Sequence, residues 1–200
     1  TDWDFTTSAK PEEILKLFPN AFYNNQFGTV GIPIKKDGWT VQVTTYRSEE
    51  EYSDNRHPDK VVWGKTLEED LARRDFTINA MALRPYAPQG KPSNSTFVFG
   101  AEKFEIVDLF GGQEDLKNKI VRTVGNANER FGEDALRLLR AIRFCTSLAF
   151  DIEDETKKAI LKNAGLISKI SGERIRGELF KIIESENNAE GIFLAKEVGI

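Results

Sequence analysis

The chain changes texture once, at Gly111-Gly112, and that change limits the folds open to it. Before it, β-branched and aromatic residues alternate with polar ones in short runs. After it, apolar residues recur every three or four positions, the period of an amphipathic helix. The pattern predicts an α+β chain: a mixed sheet with flanking helices in residues 1–110, then an all-α part in residues 111–200.

Within the first part, Pro11–Phe18 opens with proline and acids and continues with a Leu/Phe face, which predicts a short helix. Thr29–Ile34 and Trp39–Tyr46 flank the turn residues Lys36-Asp37-Gly38 and predict a hairpin. Ser48–Pro58 is polar and predicts a loop. Leu67–Arg73 predicts a short helix and the apolar run Phe76–Leu83 a buried strand. Pro85–Ser95 reads as an exposed connection, followed by strands at Phe97–Phe99 and Glu105–Leu109. Beyond the glycine pair, helices are expected near 113–119, 133–149, 153–163, 172–185 and 187–197.

Composition removes several functional classes. No apolar run approaches the roughly 18–20 residues of a membrane span, and no signal peptide pattern opens the chain. One cysteine, Cys145, excludes a disulfide framework and suits the reducing cytoplasm. With a single histidine, His57, only carboxylates remain to bind metal, which favours hard cations such as Mg2+. His57 reads as a loop hydrogen-bonding residue and Cys145 as core. The net charge is −4, but residues 117–147 alone carry +4 and the remainder −8. A local basic surface is what phosphate binding would use.

Part of that basic charge lies on one predicted helix. With Asp134 at zero and about 100° per residue, Ala135, Leu138, Leu139, Ile142, Cys145 and Ala149 form an apolar stripe. Asp134, Arg137, Arg140 and Arg143 form a charged ramp opposite it, rising about 4.5 Å per step. The ramp suits an elongated anion with a polar group at one end, or is an ordinary solvated face. Asp2-Trp3-Asp4 places two carboxylates two residues apart, on one face of a strand. Such a pair can hold a divalent cation for phosphoryl chemistry, or belong to a surface turn. Arg73-Arg74-Asp75, with Asn79 following, suits phosphates and a sugar, or forms a surface ion pair.

Longer segments carry a resemblance. DWDFTTSAKPEEILKLFP, GTVGI, VTTYRSEEEYSDNRHP, LEEDLARRDFTINAMAL, IVDLFGGQEDL, RTVGNANERFGEDALRLLRAIRF and GERIRGELFKI occur in this order along nearly the whole chain. Together they resemble the class II tRNA nucleotidyltransferases, the CCA-adding enzymes of the DNA polymerase beta superfamily; the bacterial poly(A) polymerases share many of them. The resemblance implies a nucleotidyltransferase head over residues 1–110 and a helical neck over 111–200. It implies Mg2+ as cofactor, CTP, ATP and the tRNA 3′ end as partners, and a cytoplasmic setting with no membrane; the oligomeric state stays open. Asp2 and Asp4 match the family's metal-binding pair. Arg73, Arg74 and Asp75, assisted by Asn79, match its ribose and phosphate segment. Asp134 and Arg137 match its base-selecting pair, and Arg140 and Arg143 its nucleotide-supporting residues. Glu173 and Arg174 match a helix-ordering motif, and Ser48–Pro58 the loop linked to the switch from C to A addition.

Three departures stand out. The family's Gly-Gly…Arg-Asp segment would precede Asp2, and its helical body would follow Ile200, so the chain is expected to be part of a longer protein. Gln42 stands where the family has a carboxylate, which predicts a weaker metal site.

Overall fold

The structure, a computed structural model, describes residues 4–23, 28–34, 38–49, 61–85, 96–99 and 102–200. These fall into two compact units, one of residues 4–49 and 61–73, the other of residues 74–200. The fold is α+β, as the sequence predicts.

The first unit is built on a four-stranded sheet of β1 (Asp4–Thr7), β2 (Phe22–Tyr23), β3 (Thr29–Ile34) and β4 (Trp39–Thr45), in the order β1-β4-β3-β2. β3 and β4 are the predicted hairpin, pairing from Thr29 opposite Thr44 to Ile34 opposite Trp39. β1 runs parallel to β4, so a crossover must separate them. It includes helix α1 (Pro11–Leu17), which starts with proline at its first turn; Glu13 accepts the Lys10 N–H at 2.7 Å. Alternation then sorts the sheet's side chains. Val30 and Thr45, both 0% exposed, lie on one face; Asp4 and Gln42, both exposed, lie on the other. A ribbon of β5 (Arg47–Glu49) and β6 (Val61–Trp63) and a short helix α2 (Leu67–Ala72) complete the unit.

The second unit opens with a three-stranded antiparallel sheet: β7 (Met81–Pro85), β8 (Thr96–Phe99) and the central β9 (Glu102–Asp108). Helix α3 (Gly112–Asn118) follows, then the two-residue strand β10 (Ile120–Val121) and helices α4 (Ala127–Glu133) and α5 (Leu136–Leu148). Strand β11 (Asp151–Ile152), parallel to β10, leads into α6 (Asp154–Asn163), a 3-10 turn (Ala164–Lys169), α7 (Gly172–Ile183) and α8 (Asn188–Glu197). The core gathers around α5: Leu138, Leu139 and Ile142 are fully buried with Phe76, Phe131, Ile160, Ile182 and Val198. Burial pushes the Cys145 thiol up to about 12, with Asp151 adding to the rise, so it is an inert core group.

Several expectations are corrected. The part expected to be all-α holds the strand pair β10–β11, α4 lies where no helix was expected, and Ser48 and Glu49, expected in a loop, pair in β5. Phe76–Leu83 is not one strand. Thr77–Asn79 forms a 3-10 turn and only Met81–Pro85 is extended. The run is apolar because the turn itself is buried, and Asp75 supplies the local cap: its Oδ1 accepts the Phe76 N–H at 2.8 Å and the Asn79 amide at 3.2 Å. The helix expected over 133–149 starts at Leu136, because Asp134 leaves the helical region at φ −143°, ψ 102° and ends α4. The apolar stripe holds as far as Cys145, but Ala149 is exposed and takes a left-handed cap at φ 53°.

Candidate active site

In the first unit, strand register sets the candidate metal position. Asp4 lies opposite Gln42 on the neighbouring parallel strand, about 4.8 Å away. The Thr6 hydroxyl donates to the Thr44 carbonyl at 3.1 Å, and the Thr29 and Thr44 hydroxyls bond each other at 3.1 Å. These bonds hold the strands on the face that bears Asp4. A carboxylate oxygen and an amide oxygen side by side, both open to solvent, are donors that a hard cation accepts. Asp2 lies outside the described residues, as does His57. Among the described residues no group of three ligating side chains occurs. Gln42 therefore adds a neutral donor where a charged one would bind more tightly. Gln42→Glu is expected to tighten Mg2+ binding roughly tenfold, because affinity follows ligand charge; calorimetric titration of the whole protein checks it, and unchanged affinity would place the cation elsewhere.

Arg73 closes the first unit, its Nε and Nη2 donating to Asp70 at 3.0 and 2.7 Å. Arg74, half-buried, opens the second. There Asp75, Asn79 and Arg140 come together. Oδ2 of Asp75 accepts Arg140 Nε at 2.7 Å and Nη2 at 2.5 Å, while Oδ1 holds Phe76 and Asn79. A carboxylate has about four acceptor positions, and all are taken. Asp75 thus fixes a guanidinium and an amide; a sugar hydroxyl can reach it only by displacing one of them. The same turn is braced from below by Asp115, 4% exposed. Asp115 accepts the Thr77 hydroxyl at 2.5 Å and two bonds from Arg122 at 3.0 and 2.7 Å. Gly112 starts α3 against the Thr77 carbonyl, where a side chain would collide.

The three arginines of α5 each meet a different carboxylate. Arg137 donates to Glu133 at 2.6 Å and to the Arg130 carbonyl at 3.1 Å. Arg140 meets Asp75, and Arg143 meets the buried Glu178 at 3.0 Å, with Lys181 on the same carboxylate at 3.1 Å. Burial lowers the Arg143 pKa, against the pull of Glu178. Both Arg140 and Arg143 also lie over the Phe144 ring, at 5.4 and 4.2 Å. The ramp of the sequence is therefore a set of oriented ion pairs rather than a solvated face.

Asp134 stands just ahead of α5, not on it. Its Oδ1 caps the Leu136 N–H at 3.1 Å and its Oδ2 accepts Arg174 at 2.9 Å. One bond at each oxygen leaves acceptor capacity on both. Arg174 is the partner that the sequence reading missed, having assigned it to helix ordering. Nothing local announces a contact across 40 residues. Glu133 could have been found, because it precedes Arg137 by one helical turn.

Residues 1–122 match the family model of the poly(A) polymerase head domain. The chain belongs to the class II tRNA nucleotidyltransferase and poly(A) polymerase family. Residues 149–200 of this nucleotidyltransferase chain match a second model, described as "Probable RNA and SrmB- binding site of polymerase A". The chain is 40% identical over 200 residues to the CCA-adding enzyme of Geobacillus kaustophilus, covering 100% of this chain and 45% of that protein. It matches the crystal structure of the Bacillus stearothermophilus CCA-adding enzyme in complex with CTP at a TM-score of 0.80 and 37% identity, over 100% of this chain and 44% of that one. The Thermotoga maritima CCA-adding enzyme complexed with tRNA-CCA matches at 0.70 and 26%, over 98% and 42%. The chain spans just under half the length of these relatives. Membership of the family implies dependence on a divalent metal. Among the described residues no helix is long and apolar enough to cross a membrane.

Proposed function

We propose that the protein adds C and A to the 3′ end of tRNA from CTP and ATP, without a nucleic-acid template, in the cytoplasm. The likeness to CCA-adding enzymes along the whole chain carries this reading. In the reaction the terminal 3′ oxygen of the RNA bonds to the α-phosphorus of the nucleotide. The bond from that phosphorus to the bridging oxygen breaks, and pyrophosphate leaves in line. Residues 1–110 form the catalytic head and residues 111–200 the neck that presents the nucleotide. Mg2+ held by Asp2 and Asp4 would lower the pKa of the hydroxyl and offset leaving-group charge. Arg73 and Arg74, with the Asp75–Asn79–Arg140 cluster, hold sugar and phosphates, and Arg143 supports them.

Base choice follows from donor chemistry. A carboxylate only accepts hydrogen bonds and a guanidinium only donates. Cytosine and adenine each present an amino donor beside a ring-nitrogen acceptor, which fits Asp134 with Arg137. Guanine and uracil present the reverse order and leave groups unpaired, at about 1–3 kcal/mol each. Arg174 holds one Asp134 oxygen and so fixes the direction of the other.

The description of the family model favours a second reading, a poly(A) polymerase. Incubating the whole protein with tRNA that lacks its terminal CCA separates them. The proposed activity requires CTP before ATP and stops after one A. A poly(A) polymerase would build a long tail from ATP alone.

A further inference from the structure

One aromatic ring lies on the sheet face that bears Asp4, and none of the proposed chemistry uses it. Asp4 is opposite Gln42, Gln42 opposite Gly31, and Gly31 opposite Phe22. Directly opposed residues share a face, so this line crosses all four strands on one side. Phe22 belongs to the edge strand β2, yet its ring reaches inward over Gly31. A Cβ at Gly31 would stand 2.6 Å from the ring Cζ, 2.9 Å from Cε2 and 3.0 Å from Cε1. The missing side chain at Gly31 makes the bed on which the ring rests. Phe22 is nevertheless 47% exposed, and beyond Gly31 the line continues through Gln42 and Asp4, both polar and exposed.

A half-open aromatic face on the same sheet face as a candidate metal-binding carboxylate is chemistry that receives a nucleic-acid base. Two strand spacings, about 10 Å, separate the bed at Gly31 from Asp4, the reach of a single nucleotide laid along the line. The base edge of the incoming nucleotide is assigned to Asp134 and Arg137. The acceptor RNA is then the reactant whose base still needs a support. We propose that Phe22 is a stacking platform for a base at the 3′ end of the acceptor RNA, delivering the terminal hydroxyl to Asp4. This inference rests on the nucleotidyltransferase reading above.

The test uses the whole protein as wild type, Phe22→Leu and Phe22→Trp, with tRNA lacking its CCA end as acceptor. Phe22→Leu is expected to raise the KM for RNA about tenfold while changing the KM for CTP by less than about twofold. Phe22→Trp, which restores a π face, is expected to recover the wild-type KM for RNA. A 2-aminopurine placed at the RNA 3′ end reads stacking without turnover: its fluorescence is expected to be quenched by the wild type and Phe22→Trp, and not by Phe22→Leu. An unchanged KM for RNA in Phe22→Leu, or a rise in the KM for CTP instead, would overturn the platform. If Phe22→Leu fails to fold, the wild type decides alone, and absence of quenching on bound RNA overturns it. Failure of the underlying reading looks different: the wild type would then neither extend nor bind the RNA, and both proposals would fall.

Discussion

Asp4→Ala in the whole protein is expected to lower nucleotide incorporation by about 10³-fold or more, with little change in stability. The asymmetry follows from the position of Asp4. It is exposed at the start of β1, and the strand is held by main-chain pairing to β4 and by the Thr6 hydroxyl rather than by its carboxylate. An exposed substitution of this kind changes stability by only about 0.5 kcal/mol. The chemistry, by contrast, would lose the charged ligand of the proposed metal site, where Gln42 offers only a neutral one beside it. Incorporation of labelled CMP with Mg2+ present, alongside denaturant unfolding, checks both halves. Retained activity would remove Asp4 from the metal site.

Asp75→Ala is expected to act in the opposite way, through structure as much as through chemistry. Asp75 is 8% exposed and gathers the turn at Phe76, the Asn79 amide and the Arg140 guanidinium. Its removal leaves Arg140 partly buried without its carboxylate. Breaking a buried pair costs about 3–5 kcal/mol, and the cost here should fall near the lower end because the Arg140 side chain is 30% exposed. Incorporation should drop by about 10²-fold or more, since two groups proposed to hold the nucleotide lose their positions together. A double-mutant cycle isolates the cause. In an Arg140→Met background, Asp75→Ala should destabilise markedly less. Equal destabilisation in both backgrounds would mean that the Asp75–Arg140 pair does not organise this cluster.

The sequence revealed most where local rules act alone. Proline and the acids of Pro11–Glu13 marked α1, and the alternation in Thr29–Ile34 and Trp39–Thr45 marked the hairpin. Caps such as Asn126, which accepts the N–H groups of Asn128 and Glu129, are local too, but α4 was missed: no helix was expected between 119 and 133, and two turns with a single fully buried side chain, Phe131, show little apolar periodicity. Apolar composition misled at Phe76–Leu83: burial makes a run apolar whether it is a strand or a turn, and here Asp75 decided for the turn. At the site, the residue types were legible but their partners were not. Arg140 with Asp75 and Arg174 with Asp134 are contacts across 65 and 40 residues, set by how helices pack rather than by any spacing along the chain.

Nucleotide choice by the whole protein tests most directly whether side chains stand in for a template strand. Given one nucleoside triphosphate at a time, the wild type is expected to favour CTP over GTP and UTP on CCA-less tRNA, and ATP over GTP and UTP on tRNA ending in CC, each by about 10²-fold or more. Asp134→Ala is expected to keep forming bonds while losing most of that preference. The same preference in Asp134→Ala as in the wild type would contradict base reading by this carboxylate.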